Sequence, residues 1–109
     1  MNKVYFFCDK DGKITGFSSQ GHSGYAEAGE DIVCAGISAL TINTVNSLEQ
    51  ITDAVVDVNS DEGSGTINCR VSGYGGEKVQ VLLQSLSIGL QGIQERYGKS
   101  FIQVFFEEV

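Results

Sequence analysis

Residues 31–51 read DIVCAGISALTINTVNSLEQI, and their period decides the fold. Val33, Ile37, Leu40, Thr44, Val45, Leu48 and Ile51 recur at steps of three and four, which is one face of an α-helix. The sequence on either side has the other period. KVYFFC (3–8) and ITGFSSQ (14–20) are short aromatic and β-branched runs around the turn signal Asp9-Lys10-Asp11-Gly12, so they read as a hairpin. Beyond the helix, AVVDVN (54–59) and TINCRV (66–71) flank the turn DEGSG (61–65) as two more strands. A second helix is expected from Glu77 to Tyr97, with Val79, Leu82, Leu83, Leu86, Leu90, Ile93 and Tyr97 buried. Gly98 stands where a C-terminal capping glycine belongs. FIQVFF (101–106) closes the chain as a strand. The order ββαββαβ implies one α+β domain over residues 1–109, with an antiparallel or mixed sheet and two helices packed on one face.

A chain of 109 residues supports one hydrophobic core. Seven basic against fourteen acidic residues leave a net charge of −7. That balance argues against direct nucleic-acid binding, which depends on phosphate neutralisation, and favours encounter with a basic partner. The start, MNKVYFFCDKDGK, is too short in apolar residues for a secretory signal, and no stretch reads as membrane-spanning. The expectation is a cytoplasmic protein with no membrane contact. In the last strand Ile102, Val104 and Phe106 face one way, and Phe101 and Phe105 the other. A sheet covered by helices on one face should be polar on the other, so a second subunit is expected to cover it, giving a homodimer.

Three cysteines without a CxxC pair argue for reduced thiols rather than a disulfide framework. Cys8, His22, Cys34 and Cys69 are scattered singly, whereas structural zinc ligands come in close pairs, so neither metal nor other cofactor is expected. Cys69 shares a strand face with Ile67 and Val71, and Cys8 with Val4 and Phe6; both read as packed core thiols. Cys34 differs. With Asp31 as N-cap, it falls in the first helical turn, where unpaired N–H groups and the dipole favour a thiolate. The same N–H groups could receive an oxyanion. His22, the sole histidine, ends the second strand and is joined to Cys34 by a loop over 23–30 with Gly24 and Gly29 as hinges. A cysteine and an imidazole so placed can form an activated nucleophile. A packed thiol and a solvent-facing histidine account for the same residues.

The run GHSGYAEAGEDIVCAGISAL (21–40) resembles the signature of the ribosomal-processing cysteine protease family, Prp. Gly21, His22, Gly29, Asp31, Val33, Cys34, Ala35 and Ser38 all fall in its pattern. Ser23 and Gly36 stand where alanine is common in that pattern. Length and element order extend the resemblance over the whole chain. It implies a homodimeric bacterial endopeptidase that removes the N-terminal extension of a large-subunit ribosomal protein, cutting after a phenylalanine-containing segment. Cys34 would attack the scissile carbonyl, and His22 would take the thiol proton and return it to the leaving amine.

For several of the remaining residues more than one role stays open. Asp31 either orients His22 or only caps the helix. Ser38, one turn beyond Cys34, either supports the thiolate or contacts substrate, or is a satisfied mid-helix serine. The loop 23–30 is a lid or a plain connection, and Gly36 is expected to permit close approach by substrate. Two other functions fit the composition: a non-catalytic acidic dimeric binding module for a ribosomal protein or assembly factor, and a thiol redox sensor. SGYGGEK (72–78) lacks the Gly-Lys-Ser/Thr ending of a phosphate loop and reads as a turn.

Overall fold

In a computed structural model, residues 2–21, 28–61 and 65–109 are described, with side chains throughout except at 28–31. The elements are β1 (Asn2–Cys8), β2 (Ile14–Gln20), α1 (Ala28–Ile51), β3 (Val55–Asp61), β4 (Thr66–Ser72), α2 (Glu77–Tyr97) and β5 (Ile102–Glu108). The ββαββαβ order is therefore the one expected. The strands form a five-stranded mixed sheet in the order β3-β4-β2-β1-β5. Only the β1–β5 pairing is parallel. The helix α2 makes that pairing possible, since parallel strands need a long crossover rather than a tight turn.

Local chemistry explains the connections. Asp9 Oδ1 accepts the backbone N–H groups of Asp11 and Lys13, both at 2.9 Å. Gly12 supplies the positive φ of 84° that closes the β1–β2 turn. At Gly98 (φ 104°) the backbone N–H donates to the Gln94 carbonyl at 2.8 Å, ending α2 where the sequence places its stop. Inside the sheet, a Cβ at Gly16 would collide with the Cys69 carbonyl oxygen, so β2 and β4 meet this closely only with glycine there.

The core lies between one sheet face and both helices. Val4, Phe6, Phe17, Cys69, Val71 and Ile102 alternate onto that face and meet Val33, Ile37, Val45 and Leu48 of α1 and Val79, Leu83, Leu86 and Leu90 of α2. Threonines on the α1 stripe are tolerated because their hydroxyls bond back to the helix: Thr41 to the Ile37 carbonyl and Thr44 to that of Leu40, each at 2.8 Å. Gln80 anchors α2 to the sheet. Its amide nitrogen donates to the carbonyls of Ile14 (2.8 Å) and Tyr74 (2.7 Å), and its oxygen accepts the Ile14 N–H at 2.9 Å.

Several expectations change. Ile51 is 56% exposed and Tyr97 is also exposed, because both helices run past the end of the core. Phe101 lies before β5 rather than on the helix-free face, and it packs against the core. Phe105 does lie on that face, stacked on Tyr5 with centroids 5.0 Å apart. Ile32–Ile51 is long and apolar enough to cross a membrane by length and composition, contrary to the sequence reading. Its inward side is nevertheless part of the core against α2 and the sheet. Gly36 faces that packing rather than a substrate: a Cβ there would meet Ile93 Cδ1 at 3.3 Å.

Candidate active site

The first helix starts three residues earlier than its stripe suggests, at Ala28. Ala28 is the strongest helix former available, and Glu30 and Asp31 in the first turn suit the positive end of the dipole. Asp31 is thus the fourth helical residue and not the N-cap, and Gly29 is the second rather than a loop hinge. Cys34 becomes the seventh residue. Its own N–H is beyond the four that lack an intrahelical partner, which belong to the turn before it.

Cys34 is half-buried, and its sulfur is held by a residue the sequence reading passed over. Asn2 Nδ2 donates to Cys34 Sγ at 3.4 Å, and the thiol donates to Asn2 Oδ1 at 3.6 Å. Asn2 is only 3% exposed. Its nitrogen also donates to the Phe101 carbonyl at 3.1 Å, and its backbone N–H reaches the same oxygen at 2.9 Å. A signal was present in the sequence: positions 2, 4, 6 and 8 share the inward face of β1, so Asn2 is a polar residue in a core stripe.

The other thiols sit differently. Burial, with Glu49 and Asp57 adding to it, pushes the Cys69 thiol up to about 11, and the residue is 1% exposed. Cys8 is also shifted upward, by burial first and then by the charges of Asp9 and Glu108. Both changes oppose thiolate formation and leave Cys34 as the candidate nucleophile.

Gly21 follows β2 and donates its N–H to the Gly65 carbonyl at 2.8 Å. A Cβ at Gly21 would stand 2.8 Å from that same oxygen, which explains glycine at this position. Gly65 itself has φ 67°. In the β1–β2 register Lys3 lies opposite Gln20, so the chain leaves β2 at the sheet end where Asn2 and Cys34 meet. His22 and Gly24 lie outside the described residues, as does the side chain of Asp31. Ser38 is exposed, one turn beyond Cys34 on the same side of α1. Among the described residues no cluster of three or more His, Cys, Asp or Glu could hold a metal ion.

Comparison with known proteins places this arrangement. Residues 1–103 match the family model described as cysteine protease Prp. A ribosomal processing cysteine protease Prp from Staphylococcus aureus is 34% identical over 100 residues, covering 92% of this chain and 94% of the relative. The crystal structure of an essential ribosomal processing protease Prp from S. aureus with a substrate peptide superposes with a TM-score of 0.91 at 31% identity, covering 98% of this chain and all of the other. A second structure of that protease, with a covalently linked product peptide, gives 0.88 at 32% identity over the same shares. Matched along nearly its whole length in sequence and in fold, the chain belongs to the Prp family of cysteine proteases.

Proposed function

We propose that the chain removes the N-terminal extension of a bacterial large-subunit ribosomal protein, with Cys34 as nucleophile and His22 as its base and acid. The observation that carries this reading is the placement of Cys34: a half-buried thiol on α1, at the sheet end from which the His22 segment departs. The relatives' own processing role supports the substrate class, as do the peptides bound to the S. aureus protease. In the reaction, Sγ attacks the scissile carbonyl carbon while His22 takes the thiol proton. The resulting adduct collapses by breaking the C–N bond as His22 protonates the leaving amine. Water, deprotonated by the same imidazole, then hydrolyses the thioester and restores the thiol.

In this reading Asp31, the fourth residue of α1, orients His22, and Ser38 contacts substrate. A cytoplasmic location and a net charge of −7 suit a basic ribosomal substrate. The Tyr5–Phe105 stack on the helix-free face supports a homodimer formed across that face. The test is cleavage of a peptide spanning the extension by the native protein, Cys34→Ser and His22→Ala. Cutting by the native protein alone is expected. Equal cutting by all three would refute the dyad. Binding without cutting by all three would favour the non-catalytic module.

A further inference from the structure

We infer that Asn2 is a positioning residue for the nucleophile: its side-chain amide fixes the Cys34 sulfur and donates to it when it is anionic. The inference rests on Cys34 being the nucleophile of the proposed reaction. A polar side chain in the inward stripe of β1, among Val4 and Phe6, is costly unless its hydrogen bonds are made. Here every one of its polar groups is engaged. The Phe101 carbonyl can only accept, so it must face Nδ2, and this sets which way the amide points. The second hydrogen on Nδ2 is then directed at Sγ, 3.4 Å away.

Oδ1, at 3.6 Å, serves the protonated thiol as an acceptor. On ionisation that contact loses its proton and turns mildly unfavourable, while the nearer N–H bond becomes charge-assisted and strengthens. The donor is therefore the term that grows when the sulfur must attack. It comes from β1, independently of the start of α1.

The experiment is the pH profile of iodoacetamide alkylation at Cys34, resolved from Cys8 and Cys69 by peptide mapping, in native protein, Asn2→Leu and Asn2→Asp. Circular dichroism checks that each variant is folded. The pH of half-maximal reactivity should rise by about one unit in Asn2→Leu and further in Asn2→Asp, with the alkaline plateau retained. At neutral pH this corresponds to a loss of about tenfold in rate. An unmoved profile in the folded variants would overturn the inference. A second readout uses the native chain alone: the Asn2 side-chain N–H resonances should shift when Cys34 is alkylated, and unchanged resonances would count equally against it. Peptide cleavage by Cys34→Ser, run in parallel, separates the two failures. If that variant cuts, the protease reading falls; if it is dead while the Asn2 profile is unmoved, only the role of Asn2 falls.

Discussion

Replacing Gln80 by leucine removes the polar link between α2 and β2 at nearly constant volume. Gln80 is 8% exposed and makes three hydrogen bonds of 2.7 to 2.9 Å, two to the backbone of Ile14 and one to the Tyr74 carbonyl. Each bond contributes about 1 kcal/mol net, and a buried backbone group left without a partner costs about 1–3 kcal/mol. Burial of the leucine methyl groups returns part of this, so the expected loss is about 3 kcal/mol. For a chain of this size that lowers Tm by roughly 12–15 °C. Urea unfolding followed by circular dichroism measures it, with the m-value expected to stay unchanged. Ile14 begins β2, whereas Gly21 follows its far end. Peptide cleavage per folded molecule, well below Tm, should therefore stay within about twofold of native, since additive behaviour is the rule for distant sites. A loss below about 1 kcal/mol, or lost cleavage at full stability, would refute the reasoning.

Two further substitutions probe the site and the core. Gly21→Ala forces a Cβ to within 2.8 Å of the Gly65 carbonyl oxygen and displaces the residue from which the His22 segment starts. Peptide cleavage should fall by about tenfold or more, with a stability loss of only about 1–2 kcal/mol. The Cys69 thiol, raised from 9.0 to about 11, protects the fold in its neutral form. The folded chain holds that proton more tightly than the unfolded chain, so this contribution is complete below pH 9 and is lost as pH rises towards 11. Urea midpoints across that window should fall more steeply in native protein than in Cys69→Ala, which itself loses about 1–2 kcal/mol at pH 7 from the small cavity.

Most of the architecture was legible because strand and helix periods differ sharply here. β2 and α2 have the bounds their patterns predict, since a turn signal or a glycine stop frames each one. The start of α1 was not legible from apolar spacing. Ala28, Gly29, Glu30 and Asp31 carry no stripe, and the acidic pair reads equally as a capped start or as a first turn. That ambiguity separates a Cys34 in the first helical turn from one in the second, where the structure has it. Phe101 continues the alternation of the last strand in sequence but lies one residue outside it, in the turn where its carbonyl holds Asn2. Asn2 stands just outside the aromatic and β-branched run that begins at Lys3, so sequence pattern alone leaves it out of β1. Pairing with β5, reached only after a helix, extends the strand to residue 2. Gly36 belongs to the contact between α1 and α2, which a single helix pattern does not reveal.

The central claim is that Cys34 forms the covalent bond with substrate. A peptide ending in the residues before the cleavage site and carrying a chloromethyl ketone labels the attacking group, and peptide mapping by mass spectrometry locates the label. One adduct per chain on Cys34, with cleavage lost in proportion, is the predicted result. Label on Cys8 or Cys69, or full inactivation with Cys34 unmodified, would contradict it.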